Sequence, residues 1–296
     1  MIAGSAHIEN TLGLKLQAYF ELLKARLSVL VAFSCGFGYV LGSGSTFMWM
    51  DLLLVCFGGF LVSGSSLVIN QILEKDYDKL MKRTSNRPLP TKRVTVIESW
   101  IYATVLGVLG LGLLYVIANP LTVALSLLSL LLYSFAYTPA KRVGSIAVFI
   151  GAIPGALPPL LGWVAATGSI SHEALIIFGI QFIWQFPHFW AIAWIADEDY
   201  KKAGFKLLPG QGKKDFKTAV QIMIYTLFLL PLGLLPVKFG ISGIDSGIVA
   251  TLCGVLFLSQ TFSLMTSGSE KAAKRIMYSS FLYLPIVQLA YLIDKV

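Results

Sequence analysis

Cysteine is scarce in this chain, with three residues in 296. Cys35, Cys56 and Cys253 stand far apart in apolar stretches. That excludes a disulfide framework, a paired-cysteine metal knuckle and a C-x-x-C-H haem attachment; the three read as small core residues. Charge is scarce as well: Asp, Glu, Lys and Arg make up 13% against 56% hydrophobic residues, and mean hydropathy is +0.76. An ordinary soluble globular domain is excluded by that balance. Acids are the rarer sign, 15 against 23 basic residues, for a net charge of +8. Even so, Glu9 and Glu21 sit among Lys15, Lys24 and Arg26 near the start. An acid-poor organelle transit peptide is therefore not expected, nor is a short cleavable signal.

What is present is a series of uncharged runs: 27–50, 52–73, 99–140, 143–172, 174–196, 218–237, 246–269 and 276–293. The third is too long for one span, and Asn119–Pro120 divides it. Nine transmembrane helices follow, each of about 20 residues at roughly 1.5 Å per residue. With the N-terminus inside, 21 of the 23 basic residues fall on the inner side, leaving only Lys238 and Lys295 outside. So one-sided a distribution is a topology signal, not a nucleic-acid signal. It also gathers the acidic clusters and Lys141–Arg142 on one face, where a single site can form.

The segment 70–90, NQILEKDYDKLMKRTSNRPLP, carries the most chemistry. Asn70, Glu74 and Asp78 follow at i, i+4 and i+8, which sets them on one helix face; Asp76 points away. An amide and two carboxylates in line at a membrane boundary are costly unless they bind something positive. A hard cation such as Mg²⁺ suits these oxygens. Lys79, Lys82, Arg83 and Arg87 follow, closed by Pro88 and Pro90. Guanidinium groups bind phosphate oxygens bidentately, so acids and bases together fit a metal-bridged diphosphate. A charged loop that merely anchors a helix end is the plainer alternative.

A second cluster closes the sixth span, in WQFPHFWAIAWIADEDYKKAGFKLLP. His188 and Asp199 are eleven residues apart, which on a continuous helix returns to nearly the same azimuth. Asp199 is then expected at the inner end with His188 about three turns deeper, while Asp197 and Glu198 read as solvated loop acids. An intramembrane histidine is a functional candidate, with a satisfied core histidine as the alternative. Between the clusters, 137–163 combines Lys141 and Arg142 with Gly151, Pro154, Gly155, Pro158 and Pro159. Irregular backbone of that kind is tolerated at membrane depth beside a protein-lined cavity.

These motifs resemble those of the intramembrane prenyltransferases of the UbiA superfamily. Their N-D-x-x-D-x-x-x-D and R-T-x-x-R-P patterns correspond here to Asn70, Glu74, Asp78, then Arg83–Thr84 and Arg87–Pro88. The stretches D-x-x-M-x-R-T-x-N-R-P-L, Y-T-P-x-K-R, G-A-x-P-P-x-x-G-W and W-Q-F-P-H-F with D-Y-x-x-x-G are similar to the branch that farnesylates haem. The resemblance implies an all-α, polytopic fold of nine transmembrane helices enclosing a central cavity, as one domain over 1–296 with a short cytoplasmic segment at 1–25. It implies Mg²⁺ held by catalytic Asn70, Glu74, Asp78 and Asp199. Farnesyl diphosphate would be bound by Arg83, Arg87, Lys141, Arg142, Lys201 and Lys202, with Tyr137 and His188 as further substrate contacts. Haem b is implied as a substrate and not as a permanent cofactor. The surroundings implied are a lipid bilayer, the bacterial inner membrane, with haem A synthase or oxidase assembly proteins as partners and no nucleic acid. Ile195 stands four residues before Asp199, where members acting on aromatic acids usually carry another carboxylate, and Glu74 replaces the commoner Asp.

Two rival readings fit the same residues. One is a prenyltransferase of the same type acting on a quinone precursor or another ring, which differs only in its acceptor. The other is a haem-binding or transport protein without chemistry. Paired carboxylate clusters with Arg/Lys loops are unnecessary for that role, and no internal transporter repeat is visible.

Overall fold

The computed structural model describes residues 2–44, 47–210 and 212–296, with residues 2–12 described as backbone only. Thirteen α-helices are named among them: α1 (Ile2–Leu23), α2 (Ala25–Gly42), α3 (Trp49–Asp78), α4 (Val96–Ile117), α5 (Pro120–Leu131), α6 (Thr138–Ala140), α7 (Ile146–Thr167), α8 (His172–Ile195), α9 (Asp197–Lys202), α10 (Phe216–Gly233), α11 (Leu235–Lys238), α12 (Ile244–Ser267) and α13 (Glu270–Ile293). A π-turn over Leu132–Tyr137 joins α5 to α6. Nine helical stretches among the described residues are long and apolar enough to cross a membrane.

Local chemistry sets the ends. Thr95 and Glu98 form a reciprocal capping box at α4. The Asn119 side chain caps α5, with Pro120 in its first turn, where a missing N–H costs nothing. Two helices extend five or more residues into charged sequence beyond the apolar runs. Helix α3 continues past residue 73 to Asp78, so the acid row is helical throughout. Helix α13 begins at Glu270, because Ser269 caps it and its charged first turns lie beyond the apolar stretch.

The helices form a ring. Helix α2 packs on α3 and α7, α3 on α4, α5 on α7, α7 on α8, α8 on α10 and α13, and α10 on α12; α13 packs on α12 and on α2, closing the circle. Helix α7 is the most constrained member. Pro158 and Pro159 remove the N–H groups that would serve the carbonyls of Pro154 and Gly155. Gln181 Nε2 of α8 takes the Gly155 carbonyl at 2.8 Å, and Ser129 Oγ of α5 reaches that of Pro154 at 3.4 Å. Gln288 of α13 then donates to Gln181 Oε1 at 3.0 Å. In a medium without water these amides keep the proline-rich helix satisfied. On the α2 side, a Cβ at Gly38 would collide with the Pro159 carbonyl, so only glycine permits this approach.

Candidate active site

Asn70, Glu74 and Asp78 all lie on α3 and all are buried, while Asp76 faces outward between Lys75 and Lys79. Asp78 accepts both its hydrogen bonds from Arg87, at 2.8 and 2.9 Å. A compact loop makes this possible: Thr84 Oγ1 donates to the Asp78 carbonyl, and successive turns through Met81 and Thr84 carry the chain back over the helix end. Glu74 pairs with Lys141, whose Nζ is 2.8 Å from Oε1 and lies 4.6 Å above the Tyr137 ring. Burial alone would depress the Lys141 pKa, but the attraction of Glu74 outweighs it and the net shift is upward. Asn70 Nδ2 donates to Thr138 Oγ1 at 3.0 Å.

The second cluster sits differently from the expectation. Helix α8 stops at Ile195, where the Ala196 N–H closes it on the Ile192 carbonyl, and Ala196, at φ −95° and ψ 13°, departs from helical geometry before α9 begins. The eleven-residue azimuth argument linking His188 to Asp199 therefore does not hold. Asp199 accepts from the backbone N–H groups of Lys82 and Arg83, at 3.3 and 3.2 Å, with Lys202 at 3.5 Å. Partial burial opposes its ionisation, but those two N–H groups bring its pKa below the ordinary aspartate range. It thus clamps the loop after α3. Among the described residues no three Asp, Glu, His or Cys side chains converge on one point, so Asp199 is not brought into one cluster with Glu74 and Asp78. Asp197, expected in solvent, is buried and paired with Lys201 at 2.7 Å, its i+4 neighbour on a helical turn. Arg83 is exposed near the Tyr200 ring, and Arg142 donates to Tyr77 Oη at 3.0 Å. His188 lies in the seam between α8 and α13: Nδ1 is 2.7 Å from Ser280 Oγ, and the ring packs on Trp184 and Phe281.

The acid row gains two members that sequence reasoning passed over. Lys24 occupies the break between α1 and α2 with φ 45°, a left-handed conformation uncommon outside glycine. Gln71 Nε2 holds the Leu22 carbonyl at 2.7 Å and Ser28 Oγ the Leu23 carbonyl at 3.0 Å, pinning the break. Burial pushes the Lys24 ammonium well below the ordinary lysine range, Arg87 and Lys141 add repulsion, and Glu74 and Asp78 oppose it. Its charge therefore belongs to this site, yet the two acids are already paired with Arg87 and Lys141. The only signal in the sequence was a lysine ending one helix just before an apolar run. Thr138 is the second addition, and a lone hydroxyl residue carries no such signal.

A cavity of about 210 Å³ opens beside the row, lined among others by Leu73, Glu74, Tyr77, Thr138, Arg142 and Phe205. The donor set suits a hard divalent cation. Glu74 Oε1 is buried with the Lys141 ammonium beside it, Asn70 Oδ1 accepts no hydrogen bond among the described residues, and every donor is oxygen. Asp78, though held by Arg87, keeps lone pairs on both oxygens.

Residues 30–284 match the UbiA prenyltransferase family. The chain is 52% identical over 280 residues to the protoheme IX farnesyltransferase of Cytophaga hutchinsonii, covering 95% of this chain and 98% of that one. Its fold is similar to that of digeranylgeranylglyceryl phosphate synthase, with a TM-score of 0.78 at 24% identity over 95% of this chain and 98% of the other. It is also similar to a UbiA homolog from Archaeoglobus fulgidus bound to DMAPP and Mg²⁺, with a TM-score of 0.68 at 18% identity, covering 92% and 98%.

Proposed function

This chain belongs to the UbiA prenyltransferase family, and from that membership we infer that it transfers the farnesyl group of farnesyl diphosphate to a vinyl group of haem b. The observation that carries the reading is the buried acid row Asn70, Glu74 and Asp78 with Arg87 and Lys141 set directly against its carboxylates. Such a site takes a polyanion. The high identity to a protoheme IX farnesyltransferase supports haem as the acceptor.

Asn70, Glu74 and Asp78 would hold Mg²⁺, which when bound draws negative charge off the diphosphate and makes it a better leaving group. Lys24, Lys141 and Arg87 carry the remaining charge, and preorganised cations in a water-poor site stabilise the transition state without having to reorganise. Arg83 and Arg142, exposed at the rim, attract the incoming anion. As the bond between farnesyl C1 and oxygen breaks, its electron pair leaves with the diphosphate and an allylic cation remains. The vinyl π-electrons form the new carbon–carbon bond at C1. Water then adds to the resulting cation and loses a proton, giving a hydroxyethylfarnesyl side chain. The cavity of about 210 Å³ is below the roughly 300–1,000 Å³ of pockets that enclose drug-sized ligands. Both substrates together require the helices around it to separate. The membrane is proposed to be the bacterial inner membrane, with the acid row on the cytoplasmic side. Haem A synthase or oxidase assembly proteins would take the product.

The test is direct. Purified protein is incubated with Mg²⁺ and farnesyl diphosphate together with either haem b or 4-hydroxybenzoate, and products are followed by mass. A haem adduct heavier by one farnesyl group and one hydroxyl group is expected. Transfer to 4-hydroxybenzoate alone would overturn the acceptor.

A further inference from the structure

The side-chain amide of Asn70 has two chemically opposite ends: its oxygen can ligate a cation and its NH₂ cannot. A ligand role for Asn70 therefore requires Oδ1 to face the metal. The residue is 2% exposed, so solvent does not make that choice. Thr138 does. Asn70 Nδ2 donates to Thr138 Oγ1 at 3.0 Å, and that hydroxyl donates its only hydrogen to the Tyr133 carbonyl at 2.9 Å. With its hydrogen committed, the hydroxyl offers only lone pairs, which accept the NH₂ end and repel the oxygen end.

The Tyr133 carbonyl is placed for this by the π-turn. Within Leu132–Tyr137 the backbone bonds run from i to i+5, and the Thr138 N–H also reaches Tyr133. In an unbroken α-helix the hydroxyl would turn back toward residue 134 instead. Three residues on, Lys141 meets Glu74. Thr138 and Lys141 thus share one face and engage Asn70 and Glu74, which are themselves one turn apart on α3.

Resting on the metal-assisted reading above, we propose that Thr138 is a positioning residue that locks the Asn70 amide with Oδ1 toward the metal, using the π-turn carbonyl of Tyr133 as its anchor. Outer partners that orient a ligand typically change metal affinity by about 10–100-fold when removed. The experiment measures Mn²⁺ binding to the full-length purified protein by electron paramagnetic resonance, with farnesyl diphosphate present. Thr138→Val should weaken Mn²⁺ binding by about 10–100-fold, and Thr138→Ser should restore it to near wild type. Thr138→Ala should match Thr138→Val, so that a misfolded valine variant does not decide the case. In the Asn70→Ala background, Thr138→Val should add nothing, because Thr138 acts through Asn70. Wild-type affinity in Thr138→Val and Thr138→Ala, or additive losses with Asn70→Ala, overturns the assignment while the metal reading stands. Wild-type affinity in Asn70→Ala overturns the metal role of Asn70 and the assignment with it.

Discussion

Asp78 is fully buried with both oxygens on Arg87, so removing either partner strands a charge where water does not reach. Arg87→Ala should destabilise the protein by roughly 3–5 kcal/mol, the usual cost of breaking a buried pair, in addition to weakening diphosphate binding. Thermal unfolding in detergent checks this, and an unchanged midpoint would count against the pair as a structural element. Lys24 is the contrasting case, a lysine with no ion pair among the described residues. Lys24→Met should leave the unfolding midpoint near wild type while weakening farnesyl diphosphate binding by about 10–100-fold, the value of a charge-assisted contact of about 1.5–3 kcal/mol. Its depressed pKa gives a further sign. The free site releases the Lys24 proton at lower pH than an ordinary lysine, and a bound polyanion favours the ammonium. Diphosphate binding at alkaline pH should therefore take up a proton. Calorimetry in buffers of different ionisation enthalpy measures that uptake, and Lys24→Met should abolish it. His188, expected beside the acceptor, is bonded to Ser280 in a helix seam. His188→Ala should lower the unfolding midpoint and leave the Soret band of bound haem unaltered; a shifted band would return it to the acceptor site.

Helix α7 shows how one element depends on its neighbours. The Gly155 carbonyl, freed by Pro159, is taken by Gln181. Gln181→Met should cost about 1–3 kcal/mol for an unsatisfied buried group. The loss should shrink in a Pro159→Ala background, where residue 159 regains the N–H that serves position 155. Equal losses in both backgrounds, by thermal unfolding, would show that Gln181 matters only for packing. Asp199 makes the corresponding link between α9 and the loop after α3. Its pKa is lowered in the folded protein, so its contribution is present above the unfolded aspartate pKa and is lost as pH falls through the depressed value. Exchange protection of the Lys82 and Arg83 amides should fall in that acidic window. In Asp199→Ala it should already be low at neutral pH.

At the scale of the whole molecule, the ring closes through α13 on α2, and the distribution of basic residues is the argument for the proposed orientation. Single cysteines introduced at Lys206 and Lys238 test the proposed orientation. An impermeant thiol reagent added outside intact cells should label the second and not the first, and the reverse pattern would invert the topology.

The sequence by itself determined the class, the number of spans and the row of acids at the centre of the candidate site. Each of these depends on local chemistry: length of uncharged run, Asn-Pro punctuation, and the i, i+4, i+8 spacing that keeps Asn70, Glu74 and Asp78 on one face. The partners Arg87 and Lys141 were legible as basic residues near the acids, but which cation meets which acid was not. Only the tertiary structure decided that Arg87 folds back onto Asp78 and that Lys141 takes Glu74. It also decided that Asp199 clamps a backbone loop, that His188 bonds Ser280 in the seam between α8 and α13, and that Lys24 and Thr138 lie beside the acid row. The physical reason is that these outcomes depend on where a helix breaks, at Lys24, at the π-turn and at Ala196. A break of one residue turns every later side chain to a new azimuth, by about 100° for each residue at 3.6 per turn. Neighbouring helices decide whether that break is satisfied, and hydrophobic periodicity does not record it.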